Sequence, residues 1–301
     1  VQKSQFSRLK PLLVPKIWGS ETLTNLKEKY SIRKGSELIG ETWEVSTLNE
    51  GQSEVAGKSL FLALGFRLPY MVKFLGTSQH LSIQVHPNDL IAKKLEGPLA
   101  QGKDECWIVL DALPDAKIFI GVKPGVKKAQ LQAAIDHGED VSLLLQSYPA
   151  QKGQFYFVPA GTIHALGAGL LLAEVQSSSG ITYRLWDWNR LDDSGKLRTL
   201  HIEQGLASLE LSAKKNSRDY FQYQNNILNL AQSPSFSVQF SQFKMELLTG
   251  DFLISVKPGF AVVSLISETQ VEAESLEPFE SIIITHAGQL KGRGNCLLIS
   301  Y

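Results

Sequence analysis

Several features are scarce in this chain, and each scarcity removes a class of function. Charge of one sign is not in excess: 30 basic and 30 acidic residues cancel, so no net field draws the chain onto nucleic acid or an anionic membrane. Any anion must be recognised by a local cluster. Cysteine is nearly absent. Cys106 and Cys296 lie far apart in sequence, and Cys106 falls in an apolar strand, so buried free thiols are expected rather than a disulfide framework. No apolar run approaches the length of a bilayer span, and Val1-Gln2-Lys3-Ser4-Gln5-Phe6 has no apolar signal core. A soluble, cytoplasmic protein is the expectation. There is also no glycine-rich phosphate loop of the Walker type, so a bound phosphate would have to be held by other groups. No internal repeat or low-complexity tract stands out.

What is present is core-forming material. With 301 residues, 43% of them hydrophobic, the chain can bury one large all-β domain or two smaller ones. Short runs rich in Val, Ile, Phe, Leu and Tyr recur at 42–46, 70–75, 81–85, 107–111, 117–122, 155–158, 170–175 and 182–186, with Gly and Pro between them. This pattern predicts an all-β sandwich or barrel rather than alternating βαβ units. Helical spacing is confined to patches. Asn88 is placed to cap a helix over 89–95, 126–137 carries apolar residues at helical intervals, 141–148 continues it, and 201–209 follows. The first three are expected as insertions between barrel strands. The polar stretch 212–219 is expected as a linker or surface loop, after which short strands return at 252–256, 260–266, 281–285 and 296–300.

Three segments carry a metal-ligating pattern. In Ser82-Ile83-Gln84-Val85-His86 the two polar groups Gln84 and His86 are two residues apart, hence on one face of a strand. Gly102-Lys103-Asp104-Glu105-Cys106-Trp107 sets a carboxylate at the mouth of an apolar strand. Gly153-Gln154-Phe155-Tyr156-Phe157-Val158-Pro159-Ala160-Gly161-Thr162-Ile163-His164 runs through a strand and a turn to a histidine at the start of the next strand. Gln84, His86, Glu105 and His164 thus supply two imidazoles, a carboxylate and an amide. The set suits a borderline divalent ion with a position left open. His80, His137, His201 and His286 have no such partners in sequence and are expected on the surface or on helices.

The same residues carry a resemblance. The run from Gly153 through Pro159 and Gly161 to His164 is similar to the second cupin motif, except that Ala168 stands where an asparagine often closes it. The segments 69–75, 81–89, 102–107 and 183–187, in this order, resemble the type I mannose-6-phosphate isomerases in their short bacterial form. The likeness extends from about Pro11 to Leu209. The resemblance implies a double cupin, that is, two jelly-roll β-barrels with helical insertions. A catalytic metal-binding domain would span 1–211, and a degenerate, metal-free β-domain 212–301. It also implies one zinc ion per chain and the interconversion of mannose 6-phosphate and fructose 6-phosphate through an enediolate.

Such a reaction moves a proton between neighbouring carbons and needs a cation near the developing charge. Arg184, charged among apolar and aromatic neighbours, fits that need if it faces a polar cavity; an edge-strand arginine with its head in water is the alternative. Glu174, a lone carboxylate in Leu172-Ala173-Glu174-Val175, lines up with an acidic residue of the family's pocket, and Glu41 has a similar likeness. Lys73 and Lys103 are further candidates for the proton-transfer group or for substrate contact, and Ser82 for binding the terminal phosphate. Arg190 and Lys196, in a turn of Asp-Asp-Ser-Gly composition, are expected as solvated charges. Two other readings compete: an iron-dependent cupin oxygenase, which the amide at position 84 disfavours, and a non-catalytic sugar-binding cupin. The expected partner is a small hexose 6-phosphate, with no nucleic acid and no membrane, acting on a monomer or homodimer.

Overall fold

The computed structural model describes residues 5–30, 37–191, 195–228 and 236–301. Val1–Ser4, Ser235 and the middle of the turn expected between Asn189 and Lys196 lie outside these. The chain is mostly strand with few helices. Contacts divide it into two units: one gathers 1–76, 171–178 and 226–301, and the other 77–170 and 179–225. They cut the chain differently from a single boundary at 211/212. Among the described residues no helix is long and apolar enough to cross a membrane.

In the unit of 77–170 and 179–225, five antiparallel strands lie in the order Leu145–Pro149, Lys117–Val122, His164–Leu166, Ile83–Val85, Tyr183–Trp186. Alternation sends Ile83, Val85, Ala165, Tyr183 and Leu185 to a core they share with Leu131 and Ile135 of helix Lys128–Asp136 and Leu206 of helix Ile202–Ser208. Ile83, Val85 and Leu185 are wholly buried there, each worth about 1.5–3 kcal/mol of burial. The alternate positions, Ser82, Gln84 and His86, face away from that core. Strand Glu105–Ala112 pairs antiparallel with Phe155–Val158 in the same unit. Helix Asp89–Glu96 starts where Asn88 accepts the N–H of Ile91 at 3.0 Å, the capping expected from sequence.

One expectation for this unit is corrected. The helix expected to continue over 141–148 is a single 3-10 turn, Val141–Leu144, followed by strand Leu145–Pro149. Pairing with Lys117–Val122 satisfies that backbone, and Pro149 ends the strand. The polar stretch 212–219 is a mostly exposed surface segment, as expected, but an ordered one. It contains the 3-10 turn Ala213–Asn216, and the buried Asn216 accepts from Val122 N and donates to Glu210 O and Ser212 O.

In the other unit a sheet runs Phe6–Arg8, Ser281–Ile284, Ala261–Ser264, Gly288–Ser300, Lys244–Val256, Phe236–Gln239. The short strands expected at 252–256 and 296–300 are the ends of two 13-residue strands paired along their whole length. Glu246, Thr249, Gly250 and Asp251 break the apolar pattern and hide the rest. Strand Phe6–Arg8, from the start of the chain, pairs with Ser281–Ile284 near its end. Strands Leu170–Ser177, Tyr70–Thr77, Ile39–Val45 and Leu12–Pro15 follow one another in this unit. One face of Ile39–Val45 holds a buried ion pair: Lys27 Nζ lies 2.7 Å from Glu44 and donates to Phe279 O at 2.5 Å, while Thr42 donates to Glu44 at 2.6 Å. Burial pulls the Lys27 ammonium below its ordinary range, and Glu44 opposes that. Removing one partner would strand the other charge, which typically costs about 3–5 kcal/mol. Cys106 and Cys296 are both free and buried, as expected.

Candidate metal centre

Three backbone segments bring three side chains together. Strand Ile83–Val85 ends immediately before His86, strand Glu105–Ala112 begins with Glu105, and strand His164–Leu166 begins with His164. Pro159 O accepts from Thr162 N at 3.1 Å, closing the turn before His164. Gly161 sits in that turn at φ +89°, where a side chain is strained, and an added Cβ would meet Ser208 O and Glu210 Cβ at 3.1 Å. Gly102 permits another close approach, since a Cβ there would lie 2.6 Å from Asn88 C and Asp89 N.

The tautomers follow from the backbone. His86 Nδ1 is 3.0 Å from Ile181 O and His164 Nδ1 is 2.9 Å from Thr162 O. A carbonyl only accepts, so each Nδ1 carries the proton and each Nε2 presents a lone pair. Both lone pairs turn to Glu105, whose oxygens lie 3.3 Å from His86 Nε2 and 3.3 Å from His164 Nε2. Ligand atoms of His86, Glu105 and His164 all fall within 4.8 Å of one another, and all three residues are buried. His86 Nε2 and both Glu105 oxygens have no hydrogen bond of good geometry. Buried acceptors facing acceptors are costly unless a cation lies among them. Burial and the nearby Lys103 hold His86 down at about 4, and burial lowers His164 too, so both imidazoles are neutral and ready to ligate at neutral pH. Burial disfavours the Glu105 carboxylate, but Lys103 and the two imidazoles outweigh it and hold its pKa well below the usual range.

Around this triad the sheet arranges further groups. His164 pairs with Gln84, and Gln84 with Arg184, across three antiparallel strands, and directly opposed residues share a face. His164, Gln84 and Arg184 therefore form a row. Gln84 Nε2 lies 3.2 Å from His164 Nε2, so in this orientation its nitrogen, not its oxygen, faces the imidazole. Arg184 is half-buried, donates from one terminal nitrogen to Thr199 O at 2.8 Å, and has a buried Nε without a hydrogen bond. Burial, then the neighbouring Arg198, lower its pKa. Lys103 is buried with its ammonium 2.8 Å from Glu105. Ser82 is buried on the face of Gln84 and His86.

Glu41, Lys73 and Glu174 form their own group in the other unit. Lys73 Nζ lies 3.3 Å from Glu41 and 3.4 Å from Glu174, and over the Trp43 ring at 5.4 Å. Burial works against ionisation of Glu41, yet Lys73 and Lys16 hold it at about 2; a carboxylate so firmly ionised is a weak proton acceptor. His80, His137 and His286 are exposed, and His201 precedes helix Ile202–Ser208, where its Nδ1 accepts from Arg184 N at 3.2 Å. Arg190 is not a solvated loop charge: it pairs with the buried Asp187 at 2.6 Å and donates to His80 O at 2.7 Å. Asp187 also holds Arg198 at 3.2 Å. Sequence reasoning missed Asp187, although a lone acid in Leu185-Trp186-Asp187-Trp188 was a usable signal. It also missed the carbonyls of Thr162 and Ile181 and the edge-on contact of Trp107 with His164 at 5.3 Å.

No protein-family profile matches the chain. A mannose-6-phosphate isomerase of Bacillus subtilis (strain 168), ManA, is 37% identical over 219 residues, which are 67% of this chain and 67% of that protein. The chain belongs to the mannose-6-phosphate isomerase family. The crystal structure of the mannose 6-phosphate isomerase from Bacillus subtilis matches with a TM-score of 0.77 at 27% identity, over 98% of this chain and 99% of that one. A mannose 6-phosphate isomerase solved with zinc and yttrium bound has a TM-score of 0.71 over 99% of both chains; at 17% identity it speaks for the family's fold alone.

Proposed function

We propose that this chain is a metal-dependent aldose-ketose isomerase that interconverts mannose 6-phosphate and fructose 6-phosphate. The observation that carries the reading is the convergence of His86 Nε2, His164 Nε2 and the Glu105 carboxylate in a buried cluster, where His86 Nε2 presents its lone pair to a carboxylate that cannot donate to it. A two-nitrogen, one-oxygen donor set suits zinc, one ion per chain, and Gln84 would be a fourth ligand through its amide oxygen. When bound, such an ion supplies Lewis-acid stabilisation to sugar oxygens that gain negative charge. An amide is a weak ligand, so the centre is suited to exchange rather than to a closed structural role.

The chain's own residues supply the rest. Lys103, whose Nζ lies 2.8 Å from Glu105, is proposed as the group that exchanges a proton with a substrate oxygen. Arg184, in the row with Gln84 and His164, directs positive charge to the same face and would stabilise the enediolate as it forms. Ser82 shares that face and is proposed as a substrate contact. For Glu174 as the carbon-proton acceptor, and for Glu41 and Lys73 as substrate-binding groups, support rests on the family resemblance and on their mutual clustering. The double cupin is likewise a proposal, with a catalytic domain over 1–211 and a degenerate, metal-free β-domain over 212–301. It is supported by the strand content and by the placement of the candidate metal group, among the described residues, at His86, Glu105 and His164. A cytoplasmic setting accords with the free, buried cysteines.

The test is a panel of hexose 6-phosphates incubated with the zinc-loaded protein, with products separated and identified. Mannose 6-phosphate and fructose 6-phosphate are expected to interconvert to the same equilibrium mixture from either side. Binding without conversion would instead support a sugar-binding protein.

A further inference from the structure

The three ligand-bearing segments are tied to one another by a closed ring of hydrogen bonds. Gly161 N donates to His86 O at 2.8 Å, Lys103 N donates to Pro87 O at 3.0 Å, and Ala160 N donates to Asp104 Oδ1 at 2.7 Å. Two of these links join backbone to backbone and cannot be altered by a side chain. The third depends on one carboxylate. Lys103 and Glu105 are ion-paired at the metal centre, whereas the side chain of Asp104, between them, reaches Ala160 N instead. There it meets the turn that ends on Thr162, whose carbonyl receives His164 Nδ1–H and sets which nitrogen His164 presents.

We propose that Asp104 is a positioning residue for the metal centre. Its carboxylate fixes the 159–162 turn against the start of strand Glu105–Ala112, and so holds His164 Nε2 in register with the Glu105 carboxylate. A charged acceptor on a backbone N–H is among the stronger hydrogen bonds, and partners one step removed from a ligand typically tune metal affinity about 10–100-fold. The inference rests on the metal-centre reading above.

The test measures the zinc dissociation constant by competition with a chromophoric chelator, alongside the melting temperature of the metal-free protein. Asp104→Ala removes the acceptor. Ala160→Pro removes the donor, at the turn position that proline favours. Each is expected to weaken zinc binding about 10–100-fold, and the double variant no further than the weaker single one. Asp104→Asn keeps an acceptor oxygen but loses the charge that strengthens the bond, so its zinc affinity should fall between the parent's and that of Asp104→Ala. Unchanged zinc affinity in Asp104→Ala and Ala160→Pro, with lowered metal-free melting temperatures, would reduce the bond to scaffold and overturn the inference. So would an Asp104→Asn protein as weak as Asp104→Ala. If Asp104→Ala does not fold, Ala160→Pro decides; if neither folds while Asp104→Asn does, the bond is a folding requirement and the inference fails. A parent protein that binds no zinc would overturn the metal centre itself, a different result from parent and variants binding alike.

Discussion

His164→Ala, purified with zinc present throughout, is expected to carry well under one equivalent of metal and to lose isomerase activity by more than about a hundredfold. The lower bound follows because groups that only orient a ligand are already worth about 10–100-fold, and His164 is itself a candidate ligand. Its Nε2 faces Glu105 at 3.3 Å while its Nδ1 is committed to Thr162 O. The ring can therefore be removed without disturbing the sheet ladder, which is backbone. The variant should keep its fold and most of its thermal stability in the metal-free form. Metal analysis and an assay coupled to fructose 6-phosphate formation check both halves. Full metal occupancy in His164→Ala would place the ion elsewhere.

The second large effect concerns Arg184. If its guanidinium stabilises charge that exists only in the enediolate, Arg184→Lys should lower kcat by roughly a hundredfold, about 3 kcal/mol, with KM little changed. Lysine keeps the charge but loses the planar fork and the reach to Thr199 O. A raised KM with kcat preserved would reassign Arg184 to ground-state phosphate binding. Unchanged kinetics with a lower melting temperature would leave it a packing residue.

Much of this arrangement was legible in the sequence, for reasons that differ from residue to residue. Gln84 and His86 were readable because a strand alternates with period two, and Asn88 because a helix N-terminus needs a short polar acceptor. His164 was readable because a Pro-x-Gly turn before a strand leaves few places for the next residue to point. What local pattern cannot carry is which strands become neighbours. The row of His164, Gln84 and Arg184 depends on pairings between residues far apart in the chain. So does the pairing of Phe6–Arg8 with Ser281–Ile284. The stretch 141–148 misled because Val141, Leu144 and Leu145 fit helical spacing as well as a turn followed by a strand. Asp104 and Asp187 look like surface acids in sequence, and only the N–H of Ala160 and the guanidinia of Arg190 and Arg198 reveal their use.

The central claim is that isomerisation depends on a metal held by His86, Glu105 and His164. The most direct measurement follows mannose 6-phosphate by proton NMR in D2O with protein stripped by a strong chelator, before and after stoichiometric zinc. The account predicts no conversion in the stripped sample. After zinc it predicts fructose 6-phosphate formation, with any deuterium gained appearing at the carbon that undergoes proton transfer. Conversion at full rate by the stripped protein, or none after zinc returns to one equivalent, would contradict it.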